Sequence, residues 1–459
     1  MNTQEEISMN VIKFGGSSLA EGSQLEKVIA IISADTARQV VVVSAPGKRF
    51  KDDIKVTDLL ASYAEQAIAG DDTVAIQAEI INRYRQIVAY FNLDETEIIG
   101  ALSEQLAKLS RVHYPSFDYL YAAFMGHGEL LNAQLVAYVM RGLGHNARFV
   151  SPADLGMIVT GTPRAARIRE DSYTRLANFQ IAADEIIIVP GFLAYTNEGL
   201  MATFSRGGSD ITGAILARGL HADLYENFTD VSAIYAVDPH IIDHPAAITT
   251  MSYREMRELA YAGFAVFHDE AIIPVIEANI PINVKNTNNP TAPGTMIVPV
   301  KQVTNPRPVT GIASDTRFAA LYLHRYLLNK EVGFTLRILE ILAKHGVSYE
   351  HMPSGIDDMT IIFDKTQITD AMRDAICDEI QTTLEPDHLE WIDDFAIIMV
   401  VGEGMNNRIG AFSEIAAPLS DAGITLPMIN QGASQISLML GVRAEQVADA
   451  VRVIYDAVF

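Results

Sequence analysis

Five consecutive residues, from Arg206 to Asp210, place a cation, two glycines, a hydroxyl and a carboxylate directly before the helix-like run 211–220. Glycine lets the backbone approach a ligand closely and adopt a positive φ, and the N-terminus of a helix presents N–H groups to an anion. Arginine can bind a carboxylate through two parallel hydrogen bonds. The segment is therefore suited to holding phosphates together with a small acid.

A second glycine-rich segment, Lys13-Phe14-Gly15-Gly16-Ser17-Ser18, follows an apolar N-terminal run. It is not a P-loop, because the P-loop pattern GxxxxGK[ST] places its lysine after the glycines. A lysine at the end of a strand can still reach nucleotide phosphates that the loop amides surround. A single strand–Gly-Gly turn is usually structural, but two such loops in one chain predict phosphoryl transfer.

Other segments at predicted strand or helix ends carry polar groups with two readings each. Residues 48–55 form a charged stretch that is either a solvated loop or a mobile lid, and Thr57 behind it is either a helix N-cap or a substrate ligand. Glu129 is read as the first turn of a helix, where the helix dipole favours an acid, or as a ligand for an ammonium group. Residues 229–231 and 237–239 bracket a turn after a predicted strand, and residues 285–287 follow another strand end, where a nucleotide contact is reasonable.

Composition excludes several classes of protein. The 459 residues carry a formal net charge of −23, which argues against a nucleic-acid partner because phosphate backbones need a basic surface. Apolar runs stay shorter than the roughly 18 residues of a membrane span, and the acidic, polar start 1–10 is unlike a signal peptide. The single cysteine excludes an intrachain disulfide, and the eleven histidines are scattered. We expect a cytoplasmic protein with no membrane partner and no directly bound metal.

Short β-branched runs alternate with longer helical patterns over residues 1–300. The predicted strands are 11–14, 39–44, 147–150, 185–190, 223–228 and 282–284, and the predicted helices are 26–37, 58–69, 128–141, 211–219 and 254–262. Such alternation predicts an α/β domain with a mostly parallel sheet sandwiched by helices, whose ligands bind at the carboxyl ends of the strands. Residues 71–109 read as a helical block within this domain.

After a predicted linker, 301–314, a β-α-β-β-α order occurs twice. The predicted elements are 318–326, 333–345, 348–352, 359–363 and 369–384, then 395–401, 409–422, 424–430, 435–442 and 444–458. This internal repeat predicts two small α+β modules, 315–388 and 389–459. Twin modules behind a domain of catalytic appearance are more often regulatory or dimerising than catalytic.

These motifs together resemble the aspartokinases of the amino-acid kinase superfamily, and the C-terminal repeat resembles their paired, ferredoxin-like ACT modules. The matching segments, in family order, are 13–18, 44–48, 57–58, 128–129, 189–192, 206–210, 229–231, 238–239, 258–261, 284–287, 404–405 and 429–434. The resemblance covers nearly the whole chain. Because the chain is too short for the fused aspartokinase–homoserine dehydrogenase, we expect the monofunctional form.

The resemblance implies transfer of phosphate from ATP, accompanied by Mg²⁺, to the side-chain carboxylate of L-aspartate, the first step toward lysine, threonine and methionine. By family position, Lys13 stabilises charge on the transferring phosphate and Asp210 orients Lys13. The substrate pocket comprises Arg206 for the α-carboxylate, Glu129 for the ammonium group, and Thr57 and Ser209. The expected nucleotide contacts are Gly15, Gly16, Ser17, Thr229, Asp230, Tyr235, Lys285 and Asn286.

The ACT resemblance implies feedback inhibition, with lysine as the first choice of effector and threonine as the second. The expected effector residues are Gly333, Phe334, Glu350 and Ser354. Because ACT modules usually pair across chains, we expect a homodimer or a tetramer. Ser205, His240 and Gln435 depart from the commoner family residues, although none of them is an inferred catalytic group.

Three alternatives compete with this interpretation. A superfamily kinase acting on glutamate, acetylglutamate, carbamate or UMP could share the glycine loops, but segment 206–210 and the ACT pair favour aspartate. A non-catalytic amino-acid sensor would have no need of Lys13, Glu129, Arg206 and Asp210, which are all present. A nicotinamide-dependent oxidoreductase would need a GxGxxG after a strand, and none is found.

Overall fold

Residues 8–264, 269–304 and 306–459 are described by a computed structural model. They divide into two units. Within the described ranges, unit 1 comprises residues 8–234, 247–256 and 269–304. Unit 2 comprises residues 235–246, 257–264 and 306–459. No helix in these ranges is long and apolar enough to cross a membrane.

The elements of the N-terminal two thirds alternate as expected for an α/β domain. The strands are β1 (Asn10–Phe14), β2 (Val40–Val43), β3 (Ala147–Phe149), β4 (Val159–Thr162), β5 (Ala165–Ile168), β6 (Ile186–Pro190), β7 (Leu193–Tyr195), β8 (Met201–Thr203), β9 (Leu224–Thr229), β10 (Ile234–Tyr235), β11 (Ala247–Ile248), β12 (Thr250–Ser252), β13 (Ile282–Asn286) and β14 (Thr295–Val298). The helices are α1 (Gly22–Ser33), α2 (Val56–Ala69), α3 (Val74–Tyr90), α4 (Thr96–Leu109), α5 (Phe117–Gly142), α6 (Glu170–Ala177), α7 (Gly208–Gly219), α8 (Tyr253–Tyr261) and α9 (Ile273–Ala278).

Eight of these strands form one sheet in the order β12-β14-β13-β9-β1-β2-β6-β3. Every pair is parallel except β13 with β14, which is antiparallel. The fully buried run Val40–Val43 is typical of a strand covered on both faces. The predicted mostly parallel sheet is confirmed, and all six predicted strands belong to it.

Helices cover both faces of this sheet. Alternate residues of β1 and β2, including Ile12, Phe14 and Val41, pack in one core with α1 to α5, while α7 packs against the same two strands from the opposite face. Complete burial of each such side chain contributes roughly 1.5–3 kcal/mol. The predicted helical block 71–109 consists of α3 and α4, which belong to that first core.

Three helix boundaries in unit 1 differ from the prediction, with consequences for the site. Helix α5 begins at Phe117 rather than at residue 128, because Ser116 caps it by accepting a bond from the Tyr119 N–H. Helix α2 begins at Val56 with Lys55 at the N-cap position, so Thr57 is not the cap. Helix α7 begins at Gly208, which brings Ser209 and Asp210 into its first turn.

Unit 2 is built on one antiparallel sheet with two cores. Its strands are β15 (Gly311–His324), β16 (Asp358–Asp364), β17 (His388–Val401), β18 (Met428–Asn430) and β19 (Ser437–Val442), in the order β16-β15-β17-β19-β18. Its helices are α10 (Phe334–Lys344), α11 (Asp370–Leu384), α12 (Ala411–Asp421) and α13 (Val447–Val458). Helices α10 and α11 pack in one core and α12 and α13 in the other.

The long strands β15 and β17 account for most differences in unit 2. The first half of β15 pairs with the second half of β17. The second half of β15 pairs with β16 on one side and with the start of β17 on the other. Strand β15 begins at Gly311, so its first residues lie inside the predicted linker 301–314. Residue 305 of that linker lies outside the described residues. The predicted strand 348–352 is reduced to isolated bridges at His351 and Ser354, beside Pro353, which has no N–H to donate to a ladder.

Candidate active site

Lys13 lies near the carboxyl end of β1, where a carboxylate holds its ammonium group in place. Its Nζ is 2.7 Å from Oδ1 of Asp210, and both side chains are largely buried. The same Oδ1 accepts a 2.6 Å hydrogen bond from Nδ2 of Asn227. Asn227 is the residue of β9 in register with Lys13, so the parallel pairing of β1 and β9 assembles the three groups.

Asn227 is the site residue that the sequence prediction omitted. It is 4% exposed and lies between Glu226 and the fully buried Phe228 in β9. The available signal was the polar pair Glu226-Asn227 within a predicted central strand, since buried polar groups are almost always hydrogen-bonded. Its partner Asp210, however, follows only from the packing of α7 against β9.

The segment 206–210 forms the entrance to α7. Gly207 is the N-cap with φ of +79°, a left-handed conformation that disfavours residues with a Cβ atom. A Cβ atom on Gly191 would lie 2.6 Å from the Ser209 hydroxyl oxygen, so the loop after β6 packs directly on this turn. Arg206 is exposed and makes no ion pair with any described residue. The first amides of α7 have no intrahelical acceptor, which suits an anion.

The loop after β1 packs tightly against the loop after β2. The Gly47 N–H donates a 2.8 Å hydrogen bond to the Gly16 carbonyl oxygen. A Cβ atom on Gly16 would lie 2.8 Å from the carbonyl oxygen of Ala45, and one on Gly47 would lie 2.7 Å from the backbone of Gly16. These glycines are therefore needed where two backbones approach each other. Gly15 instead donates its N–H to the Phe228 carbonyl oxygen at 3.2 Å.

A cavity of about 590 Å³, here named the loop cavity, opens between these loops. Five predicted site residues line it, and so do three lysines whose charges contrast with the acidic chain. The lining residues are Gly16, Ser17, Ser44, Ala45, Pro46, Gly47, Lys48, Phe50, Lys51, Lys55, Thr57, Glu129 and Asp230. The cavity thus joins the glycine loop to groups predicted to bind substrate.

Glu129 is the buried acid of the loop cavity. It lies in the interior of α5 and is only 5% exposed, so the predicted alternative, stabilisation by a helix N-terminus, is wrong. Burial raises the pKa of its carboxyl group to about 8, against a smaller opposite effect of the Ala45 backbone. Its Oε2 has no hydrogen-bond partner among the described residues. A buried, unpartnered carboxyl oxygen is a site for an incoming cation.

Neighbouring contacts hold α5 against the loop after β2 and against α3. Nδ2 of Asn132 donates to the Ser44 carbonyl oxygen at 2.7 Å, and the Tyr84 hydroxyl donates to the Gly128 carbonyl oxygen at 2.9 Å. A Cβ atom on Gly128 would lie 2.8 Å from that of Ala45. The helix that carries Glu129 therefore has a fixed distance from the loop that lines the cavity.

Four predicted nucleotide contacts occupy the adjacent ends of β9 and β13. Asn286 is in register with Thr229, and the Thr229 hydroxyl donates to Asp230 Oδ1 at 3.1 Å. Nζ of Lys285 lies 5.7 Å from the centre of the Phe228 ring. Tyr235, by contrast, belongs to unit 2.

Three of the four predicted effector residues surround a second cavity in unit 2. Gly333, Phe334 and Ser354 line this space of about 180 Å³, where Gly333 has φ of +81° and caps α10. Glu350 is not among its lining residues. The Glu350 carboxylate instead faces Tyr261, where it adds to the effect of burial in raising the pKa of the tyrosine hydroxyl.

The three residues that depart from the family pattern, Ser205, His240 and Gln435, do not line the loop cavity. His240 is exposed, with Nδ1 2.8 Å from Asp238 Oδ1, and Gln435 accepts a bond from the Asn407 N–H at 3.1 Å. Ser205 lines a pocket of about 390 Å³ beside α7 rather than the loop cavity. Within the described ranges, no three His, Cys, Asp or Glu side chains form a group that could hold a metal ion.

Comparison with known proteins agrees with this architecture. The profile of the amino acid kinase family matches residues 8–286, and the ACT domain profile matches residues 398–458. Aspartokinase 3 of Bacillus subtilis is 46% identical over 451 residues, which cover 98% of this chain and 99% of that protein.

Solved structures extend the similarity to the whole fold. Aspartate kinase of Clostridium acetobutylicum has a TM-score of 0.84 at 36% identity, covering 98% of this chain and 100% of that one. E. coli aspartokinase III, crystallised in complex with lysine and aspartate, has a TM-score of 0.78 at 25% identity, covering 98% and 99%. With family profiles, sequence and fold in agreement over nearly its full length, the chain belongs to the aspartokinases, within the amino acid kinase family.

Proposed function

We propose that this enzyme transfers the γ-phosphoryl group of ATP to the side-chain carboxylate of L-aspartate, giving 4-phospho-L-aspartate and ADP. The observation that carries the proposal is the composition of the loop cavity. Its lining combines part of the glycine loop, which follows Lys13 of the Lys13–Asp210–Asn227 network, with the buried carboxyl group of Glu129, whose Oε2 has no partner among the described residues. An amino acid whose own carboxylate accepts phosphate needs both features.

The reaction requires positioning rather than a general base. An aspartate side chain has a pKa of about 4 and is already ionised at neutral pH. Catalysis then depends on alignment of the two substrates and on stabilisation of the charge spread over the phosphoryl oxygens. Lys13 supplies that positive charge, and its 2.7 Å contact with Asp210 fixes where it lies.

The amino-acid substrate is held at both of its backbone groups. Arg206, which has no ion-pair partner among the described residues, binds the α-carboxylate, and Glu129 binds the ammonium group. Thr57 and Ser209 complete the pocket with hydroxyl groups. Thr57 faces the loop cavity from the first turn of α2, and Ser209 is 8% exposed in the first turn of α7.

The nucleotide lies along the ends of β1, β9 and β13. Gly15, Gly16 and Ser17 contact the phosphates, and Thr229, Asp230, Lys285 and Asn286 contact the rest of the nucleotide. Tyr235 is retained on the family resemblance alone. Mg²⁺ enters with ATP and supplies further positive charge to the phosphates; Asp210 helps to organise this region.

Regulation is proposed to act through unit 2, with lysine as effector and threonine as the second candidate. The complex of E. coli aspartokinase III with lysine and aspartate supports lysine. The cavity at Gly333, Phe334 and Ser354 is the proposed effector site. The structure supports Glu350 as an effector residue less than the other three, because it faces Tyr261 and does not line this cavity. The ACT modules are proposed to pair across chains in a homodimer or tetramer.

The test is capture of the acyl phosphate by hydroxylamine. The purified protein is incubated with Mg-ATP and a panel of small carboxylic acids that includes aspartate and glutamate, each with and without lysine or threonine. We expect a hydroxamate from aspartate alone, suppressed by lysine. Lysine binding without any hydroxamate would instead identify a non-catalytic sensor, and a hydroxamate from another acid would reassign the substrate.

A further inference from the structure

The helical block contributes one buried guanidinium to the rim of the loop cavity. Arg83 of α3 is 5% exposed. Its NH1 donates to the carbonyl oxygen of Ile54 at 2.6 Å and its NH2 to that of Gly47 at 2.7 Å. Gly47 and Ile54 stand at the two ends of the charged loop, residues 47–55. One side chain from a distant helix therefore fixes the distance between the ends of this loop.

Asp53 joins the same cluster from within the charged loop. Its carboxylate accepts hydrogen bonds from Nε and NH2 of Arg49, both at 2.8 Å, and from the Arg49 N–H at 2.9 Å. NH2 of Arg83 lies 3.2 Å from its Oδ2. Arg49 above all holds the pKa of Asp53 far below its usual range, so the carboxylate remains charged.

The fixed ends of the charged loop adjoin the glycine loop at Gly16 on one side and Thr57 on the other. Gly47 donates to the carbonyl oxygen of Gly16 at 2.8 Å, and the Val56 N–H donates to that of Pro46 at 3.3 Å, immediately before Thr57. The middle of the loop is open to solvent, and the Phe50 side chain is 62% exposed. The loop is therefore held at its ends, next to the cavity, and its tip is exposed.

We propose that Arg83 and Asp53 are positioning residues for aspartate binding, because they hold the wall of the loop cavity that carries Thr57 and the lysines. The inference rests on the proposed function, since it assumes that the loop cavity binds aspartate. It also assigns a role to the helical block, for which the sequence suggested none. Arginine is required at position 83 because a planar guanidinium has donors in two directions, whereas a lysine ammonium cannot span both carbonyl groups.

A purely structural role makes a different prediction from a positioning role. Removing one member of a buried ion pair leaves an uncompensated charge, but replacing both members by apolar side chains often restores stability. The double variant Asp53→Leu/Arg83→Met therefore separates the two roles. It removes the two buried charges and leaves the carbonyl groups of Gly47 and Ile54 without their donor. Arg49 loses its counter-ion but is partly exposed and keeps its hydrogen bond to Gln86.

The experiment compares steady-state kinetics and melting temperatures of Arg83→Lys, the double variant and the unmodified enzyme. Arg85→Lys is the matched control, because Arg85 lies on the same helix in an exposed ion pair with Glu95. We expect Arg83→Lys to raise the KM for aspartate at least tenfold and the KM for ATP less than threefold, with Arg85→Lys unchanged. The KM for ATP should change less, because the contacts proposed on β9 and β13 make no hydrogen bond to the charged loop, which meets the proposed phosphate contacts only through the Gly47 N–H and the Gly16 carbonyl oxygen.

The double variant decides between the roles. If it regains the melting temperature while the KM for aspartate stays at least tenfold raised, the positioning role is supported. Recovery of both quantities together, or an unchanged KM in Arg83→Lys, would overturn it. Failure of the proposed function is recognised separately, because then the unmodified enzyme itself forms no hydroxamate from aspartate.

Discussion

Two buried ionisable groups in unit 1, Lys13 and Glu129, differ in whether the protein supplies them with a partner. The Lys13 ammonium group has its counter-ion within 2.7 Å, and a second donor, Asn227, orients that counter-ion. Glu129 is buried equally deeply but has an oxygen without any partner and a pKa raised to about 8. Under the proposed function, the paired site is complete before substrate arrives, whereas the unpaired one is completed by substrate. The proposal thus assigns Lys13 to turnover and Glu129 to binding.

The largest effect is expected at the paired site. Lys13→Ala removes the positive charge next to the transferring phosphate, and we expect kcat to fall roughly 10²- to 10³-fold, as for loss of one preorganised stabilising group. The KM for aspartate should change much less. Hydroxamate formation measures both constants, with Lys27→Ala as control because Lys27 makes only an exposed contact with Asn288. A change in the KM for aspartate with an unchanged kcat would contradict this prediction and assign Lys13 to substrate binding.

Arg206→Ala tests the binding side. The exposed guanidinium has no described ion-pair partner, so its removal should leave the fold intact. Loss of a charge-assisted hydrogen bond costs about 1.5–3 kcal/mol, which predicts a KM for aspartate raised roughly 10- to 100-fold. Arg169→Ala, which breaks an exposed pair with Asp171, is the control. A fall in kcat at unchanged KM would remove Arg206 from the binding group.

Glu129 predicts a pH dependence of aspartate binding. Because its pKa is about 8 in the empty site and the ammonium ligand needs the ionised form, the KM for aspartate should fall about tenfold per pH unit as pH rises toward 8 and then level off. Initial rates between pH 6.5 and 9 measure this slope. The variant Glu129→Gln should have a higher and pH-independent KM; an unchanged slope in that variant would assign the titration to another group.

The same shift makes a stability prediction. Glu129 has a folded-state pKa above its ordinary value of 4.5, so the folded protein holds an extra proton between these two pH values. Stability therefore falls as pH rises through this window, by up to roughly 5 kcal/mol above pH 8. Glu129→Gln should remove this loss. Melting temperatures of both proteins at pH 6 and pH 8.5 test it, and an equal decline in the two would contradict it.

The smallest effect is expected at the orienting residue. Asn227→Ala leaves the Lys13–Asp210 pair in place but removes one donor to the carboxylate. A hydrogen bond of about 1–1.5 kcal/mol predicts a five- to tenfold loss in kcat. Asn178→Ala, which removes an exposed bond to the Thr174 carbonyl oxygen, is the control. A loss as large as that of Lys13→Ala would make Asn227 a full member of the paired site.

Local pattern predicted the sheet well and the helix ends poorly. All six predicted strands of unit 1 join one mostly parallel sheet, because β-branched runs between helices have few other arrangements. The start of α5 was misplaced by eleven residues, at 128 rather than Phe117, since Gly126 and Gly128 resemble a helix start. Those glycines are instead needed for packing, as a Cβ atom on Gly126 would lie 2.6 Å from the Met201 sulfur.

The sequence by itself determined the two glycine loops, the family and the class of chemistry, because these depend on residue types at short spacing. Only the tertiary structure decided which groups meet. The pairing of β1 with β9 brings Lys13 beside Asn227, the packing of α5 buries Glu129, and the position of α3 brings Arg83 to the charged loop. Each of these contacts joins residues far apart in sequence, and strand register and burial set them, neither of which a local pattern specifies.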